Sequence, residues 1–256
     1  VRRAETLETT ASALRGAGCV AAEEEAVALF DLAGGDVYEL RELVARRCSG
    51  EPLAWITGSV RFCGETVLVN AGVYVPRWQS EHLASAALSR LPERGIAVDL
   101  CTGAGPIALV LARRKPTARV MATEIDPLAA QCARDNGVEV FEGDMGSSLP
   151  SFLCGRVDVV TGVVPYVPTS ELRLLPRDVL EYEPLRALDG GEDGTTFLVR
   201  AAVDATALLR SGGSLLLELG GDQRSAFEPC LAELGYRDVE TLVDEDGDER
   251  GIVCRR

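Results

Sequence analysis

Histidine and lysine are almost missing from this chain: His82 and Lys115 are the only ones in 256 residues. A single histidine, with eight cysteines that never form a C-x-x-C pair, excludes the usual structural zinc site, whose ligands cluster at short spacing. No metal is therefore expected. Cys19, Cys48, Cys63, Cys101, Cys132, Cys154, Cys230 and Cys254 read as reduced thiols of a reducing compartment. No apolar run approaches the roughly 20 residues that cross a bilayer. The start also lacks the basic-then-apolar pattern of a secretory leader, so no membrane contact is expected and the cytoplasm is the expected location. Runs of positive charge are missing too. Lys and Arg total 26 against 40 Asp and Glu, for a net charge of −14. Residues 1–78 carry −3 of this and the remainder −11. Nucleic-acid binding depends on neutralising phosphates, so so acidic a chain is not expected to bind nucleic acid directly.

What is present is ordinary globular composition, 46% hydrophobic and 26% charged, in a chain long enough for one large domain or a large and a small one. Residues 1–50 read as short helices. Leu7 and Leu14, then Val27, Leu29, Phe30 and Leu32, then Leu40, Leu43 and Val44 recur at helical spacing, separated by glycine turns. This predicts a small N-terminal helical domain. Residues 51–79 change texture: Val60-Arg-Phe62 and Val67-Leu-Val69 flank Gly64-Glu65 as a β-hairpin, a connector to the remainder at 80–256. A helix over about 80–90 carries His82, to which no catalytic role is assigned.

Beyond Gly95 strands and helices alternate. Strands are expected at 96–100, 118–124, 138–142, 157–161 and 214–219, with helices near 106–114, 127–135, 195–210 and 222–233. Such alternation predicts an α/β fold with a parallel sheet covered on both faces. Two last strands, 236–242 and 251–254, are joined by a short acidic turn and can only pair antiparallel. Seven strands closed by an antiparallel hairpin distinguish a methyltransferase-type, Rossmann-like sheet from the ordinary dinucleotide fold.

The candidate site begins at Ile96–Ala112, IAVDLCTGAGPIALVLA. A strand ending at Asp99 feeds a helix through a turn of Cys101, Thr102, Gly103, Ala104 and Gly105. Such a turn leaves backbone N–H groups open to a ligand, and its glycines allow close approach. The third glycine of G-x-G-x-x-G is absent, since position 108 is Ala. Glu124 ends the next strand, placed to accept hydrogen bonds from both hydroxyls of a cofactor ribose; a solvated strand-end carboxylate is the alternative. Ile125 lies where an adenine face packs, and Asp126 is expected to cap the next helix. Asp144 suits the adenine amino group and Met145 the ring, with a plain surface turn as the rival. Val163, Val164, Pro165 and Tyr166 follow the fourth strand, in the loop position where reacting groups belong; a rigid turn with an aromatic lid is the other reading. Arg77 and Glu81 are placed to pair and brace the connector against the site, with ordinary surface charges as the alternative. Glu218, at a strand end, is expected in a structural role, with a place near the crevice floor as the other reading.

The order DLCTGAG, ATEID, GDM, VPYVPTSE, EYEPLRALDGGEDG and LLLELGGDQ resembles the HemK/PrmC family of protein-(glutamine-N5) methyltransferases, from about residue 50 to 256. The resemblance implies a class I methyltransferase sheet with S-adenosyl-L-methionine as cofactor. Residues 101–105 would hold its methionine portion, Glu124 the ribose, and Asp144 and Met145 the adenine side. It also implies methyl transfer to a protein, the family precedent being a glutamine of a translation release factor. An acidic catalytic domain suits docking of a basic protein.

Two positions depart from the family pattern. Cys101 stands where the turn usually opens with glycine. Val163-Val164-Pro165-Tyr166 stands where the family has Asn-Pro-Pro-Tyr, whose asparagine and a neighbouring carbonyl hold the target amide. Valine cannot accept that hydrogen bond, and an unpartnered buried amide costs about 1–3 kcal/mol, roughly one to two decades in rate. The alternatives are a methyltransferase for a small molecule, or a cofactor-binding interaction module that has lost transfer activity.

Overall fold

The computed structural model describes residues 2–221 and 223–256. Asp222, the first residue of the helix expected at 222–233, lies outside them. Three helices, α1 (Arg2–Gly16), α2 (Ala22–Leu32) and α3 (Val37–Cys48), open the chain, and the short α4 (Leu53–Thr57) follows. Asp36 starts α3 by accepting the N–H groups of Tyr38 and Glu39 at 2.8 and 3.2 Å, which satisfies two donors of the exposed helix end. Leu14, Leu29, Leu40, Leu43 and Ile56 form a core of their own. Val27 and Leu32 do not join it: both are exposed. The buried stripe of α2 is Ala22, Glu25, Ala26 and Leu29, at i, i+3, i+4 and i+7, so Val27 falls one position outside it.

The connector forms the expected hairpin from β1 (Ser59–Phe62) and β2 (Glu65–Leu68), paired antiparallel. α5 (Glu81–Arg90) carries His82 and leads into the alternating part. There β3 (Ile96–Leu100), α6 (Pro106–Arg114), β4 (Arg119–Glu124), α7 (Pro127–Asp135), β5 (Glu139–Glu142) and β6 (Val157–Gly162) follow in turn. A long excursion containing α8 (Arg177–Tyr182) separates β6 from α9 (Thr196–Leu208) and β7 (Leu209–Glu218). α10 (Gln223–Glu233), β8 (Arg237–Val243) and β9 (Glu249–Arg255) end the fold.

The seven-stranded sheet runs β5-β4-β3-β6-β7-β9-β8. β3 to β7 pair parallel, and β9 lies antiparallel between β7 and β8. The order reverses at β3, with β4 on one side and β6 on the other. In open α/β sheets the ligand crevice opens at the carboxyl ends of the strands beside such a reversal. Apolar clusters cover both faces, one with Phe62, Ile107, Leu111 and Leu216, the other with Leu100, Met121, Leu198 and Phe227. β7 starts at Leu209, five residues before the expected 214. Its register against β6 jumps between Val157 and Val159, where Gly213 crosses so close that a Cβ would lie 2.9 Å from the Val157 carbonyl. That irregular stretch hid the strand's start from its pattern. Among the described residues no helix is long and apolar enough to cross a membrane.

Candidate active site

The glycine turn is held from below by Asp99. This side chain, 2% exposed, accepts the Thr102 hydroxyl at 2.5 Å and the Thr161 hydroxyl at 2.6 Å. It thus ties β3 to both β6 and its own turn. Burial pushes its carboxyl up to about 6, against the two hydroxyl donors, which lower it. Both oxygens being engaged inward, Asp99 acts as the turn's anchor while also bordering the cavity beside it.

Above the anchor, Thr102 N–H reaches the Thr123 carbonyl at 3.0 Å and Gly103 N–H reaches Glu124 Oε2 at 2.8 Å. Glu124 Oε1 accepts the Asp126 N–H at 2.9 Å. A carboxylate has about four lone-pair sites, so Glu124 keeps capacity for further donors at the strand end. Burial raises its carboxyl above the ordinary range, opposed by these backbone bonds. Asp126 caps α7 through the Leu128 N–H, as expected. Gly103 and Gly105 both have positive φ, +59° and +82°. A Cβ on Gly103 would meet nothing within 4 Å, whereas on Gly105 it would sit 3.0 Å from Ala133 Cβ and Val138 Cγ2. One glycine leaves room on the crevice side; the other lets α6 pack close to α7.

The remaining turn residues adapt to one another. Cys101, where the family has glycine, adopts φ +54°, a conformation that disfavours side chains. Its sulfur lies 3.7 Å from Met145 Sδ. Met145, also at positive φ, is buried. Asp144 pairs with Arg200 at 2.6 Å on a half-exposed surface, and Ile125 stands 54% exposed beside Glu124.

The loop after β6 is immobilised. Val164 is 1% exposed, and Val163 packs on the core beneath it. The Tyr166 phenol donates to Glu218 Oε1 at 2.9 Å, and its carbonyl accepts from Gln223. Glu218, at the end of β7, thus fixes the loop's tyrosine. Arg77 and Glu81 do not pair. Arg77 binds Glu183 and stacks 4.9 Å from the Tyr74 ring centre, while Glu81 accepts the Cys63 N–H at 2.8 Å. Glu81 starts α5 and faces back to the hairpin. Glu183, 5% exposed, sits within reach of Arg77 because it also accepts the Val75 N–H at 3.1 Å.

Three contributors escaped sequence reasoning. Glu183 and Tyr74 lie in stretches with no charge pattern that links them. Asn136 reads as an ordinary helix end after RD, yet it binds the Leu68 N–H and carbonyl and the Ala104 carbonyl at 2.8, 2.9 and 2.8 Å. It clamps the hairpin to the glycine turn.

Two cavities meet here. A small one of about 40 Å³ borders Asp99, Cys101, Gly103 and Ile107. A large one of about 820 Å³ lies between the loop, α8 and the first helices. Tyr74, Arg77 and Val163 line both.

The family described as "Methyltransferase small domain" matches residues 66–145. The chain is 37% identical over 221 residues to a release factor glutamine methyltransferase of Geobacter sulfurreducens, covering 84% of this chain and 77% of that protein. The chain belongs to the release factor glutamine methyltransferase family. It is accordingly an S-adenosylmethionine-dependent methyltransferase of the HemK/PrmC type. A further relative, a 4-amino-L-phenylalanine/4-methylamino-L-phenylalanine methyltransferase of Streptomyces pristinaespiralis, is 36% identical over 203 residues, covering 75% of this chain and 69% of that one. In fold the HemK/PrmC-type chain is similar to a ribosomal protein L11 methylase of Lactobacillus delbrueckii subsp. bulgaricus, with TM-score 0.52 and 16% identity over 75% of this chain and 86% of that one.

The residues at the turn fit this cofactor. Asp99 and Glu124, neither in an ion pair, supply negative charge, which suits a sulfonium and an amino group and opposes a pyrophosphate. Among the described residues Arg77 is the one cation bordering the small cavity, and it is already paired with Glu183.

Proposed function

We propose that this chain transfers the methyl group of S-adenosylmethionine to a nitrogen of an acceptor seated in the large cavity. The observation that carries this reading is that Val163, Tyr74 and Arg77 border both cavities, so an acceptor in the larger one reaches the cofactor end of the smaller one. In this reading Cys101 to Gly105 hold the methionine portion, Glu124 the ribose hydroxyls, Ile125 and Met145 the adenine faces and Asp144 its amino group. Residues 1–50 are a docking domain, 51–79 a connector braced by Arg77, and 80–256 the catalytic domain, working in the cytoplasm. The bound sulfonium supplies a methyl group already activated for in-line displacement. The protein's part is orientation and exclusion of water. The Val163–Tyr166 loop supplies that orientation, locked through Tyr166 and Glu218.

Following the family, the acceptor is a protein, and the family precedent is the glutamine side chain of a translation release factor. A second reading, a small-molecule amine, is favoured by the hydrocarbon face of Val163 and Val164 and by the similarity to the aminophenylalanine methyltransferase. Incubation of the protein with isotopically labelled cofactor and either a release factor or a cell extract, followed by mass spectrometry, tests both. A labelled protein supports the first and a labelled metabolite the second. Absence of any label, with cofactor binding intact by calorimetry, leaves an interaction module and overturns the transfer reading. Restoring the asparagine, Val163→Asn, is expected to raise labelling of a release factor by about ten- to hundredfold, the reverse of the cost of an unpartnered amide.

A further inference from the structure

The short turn between the connector and α5 runs along the boundary of the two cavities. Trp78, Gln79 and Ser80 form one turn of 3₁₀-helix, closed by the Ser80 N–H on the Arg77 carbonyl at 3.1 Å. With three residues to a turn, Arg77 and Ser80 share a face, and both line the small cavity. Trp78 and Gln79 line the large one instead. The Ser80 hydroxyl stands close enough to Glu218 to favour its charge, so the turn lies against the end of β7, where Glu218 holds Tyr166. Gln79 therefore faces the acceptor's side of the boundary, two residues after Arg77, which lines both cavities.

Gln79 brings an uncommitted carboxamide to that wall. Its Oε1 is buried without a hydrogen-bond partner, and its NH₂ has none among the described residues. The arginines of the same wall are each held by a carboxylate: Arg47 by Glu25, Arg77 by Glu183 and Arg250 by Asp244. A buried oxygen in this state gains from any donor that reaches it. A primary amine answers the Gln79 oxygen alone, and a carboxylate answers its NH₂ alone. A second carboxamide answers both in one plane, its N–H to the oxygen and its carbonyl to the NH₂.

We propose that Gln79 is a specificity residue of this chain, selecting a carboxamide acceptor by pairing with it through two in-plane hydrogen bonds. This rests on the reading of the acceptor as a glutamine side chain and names the residue that recognises it. Two bonds fix the plane of the acceptor's amide and leave a face of its nitrogen open to the methyl group. Its second N–H is left for the loop after β6, where Val163 offers no side-chain acceptor. The gain expected from Val163→Asn therefore adds to the Gln79 pair.

NMR titration with p-toluamide and 4-methylacetophenone, which carries CH₃ in place of NH₂ on the same ring and carbonyl, tests this. The protein is saturated with S-adenosylhomocysteine, which has no methyl group to give. p-Toluamide is expected to shift the Gln79 side-chain NH₂ signals, assigned by their absence from Gln79→Met. It is expected to bind about tenfold more tightly than the ketone, the worth of one hydrogen bond to a buried group. In Gln79→Met, followed on the Trp78 indole signal, that ratio is expected to fall to about one. In Gln79→Glu, which keeps an acceptor but loses the donor, both probes are expected to weaken while the preference for the amide survives. Mere loosening of the fold would weaken both probes together and leave the ratio in place. Gln79 signals unmoved by p-toluamide, a ratio near one in the parent, or a ratio unchanged in Gln79→Met overturns the role of Gln79 and leaves the methyltransferase reading intact. Failure of S-adenosylhomocysteine itself to bind, read by calorimetry, overturns both.

Discussion

Glu124 reaches back across two strands' ends to hold the Gly103 N–H at 2.8 Å. The carboxylate proposed to hold the ribose therefore also sets the turn proposed to face the methionine portion. Replacing it by glutamine swaps one acceptor oxygen for an N–H group that faces either Gly103 N–H or Asp126 N–H. Glu124→Gln is expected to weaken S-adenosylmethionine by about ten- to hundredfold, the worth of a hydrogen bond to a charged group, read by calorimetry.

The two glycines of the turn separate stability from binding. Gly105→Ala combines a φ of +82° with contacts at 3.0 Å to Ala133 and Val138, and is expected to cost about 2–4 kcal/mol in denaturant unfolding. Gly103→Ala meets open space within the protein and should cost only about 1 kcal/mol of backbone strain. Its methyl would instead enter the crevice, so cofactor affinity should fall more in Gly103→Ala than the stability change accounts for.

Asp99 gives a pH signature. Its carboxyl is raised from 3.8 to about 6 by burial, so the folded chain binds this proton more tightly than the unfolded one. The stability it contributes is fully present below about pH 4 and lost as pH rises to about 6, by up to about 3 kcal/mol. Unfolding measured at pH 4.5 and 6.5 should therefore show a smaller fall, or a larger rise, for Asp99→Asn than for the parent, whatever the variant's absolute stability.

Thiol chemistry distinguishes two cysteines. Burial, with Glu124 and Asp99 nearby, pushes the Cys101 thiol far up, whereas Cys154 is exposed. Since the thiolate is the reactive form, iodoacetamide at pH 8 should modify Cys154 within minutes and leave Cys101 unlabelled in the folded protein, as read by peptide mass spectrometry.

The sheet was legible because its strands are short apolar runs between glycine turns and periodic helices. The final antiparallel pair could be read from the length of one turn. The positions of Glu124, Asp126 and Tyr166 were legible because each lies at or just beyond the end of a strand. Contacts between segments distant in the chain left no such mark. Arg77 seemed to belong with Glu81, four residues on, but the folded chain gives it Glu183, which lies 106 residues away and is drawn in by the Val75 N–H. Asn136 was hidden for the same reason. Its partners, Leu68 and Ala104, become neighbours only once the hairpin lies on α6 and α7.

β9 lies between β7 and β8, so the last strand among the described residues is an interior strand of the sheet. While the polypeptide emerges in order, β7 keeps one bare edge through the synthesis of α10 and β8, and the strand bearing Glu218 acquires its second neighbour only when β9 slots in. Until β9 inserts, that edge of β7 is open to pairing with a stranger.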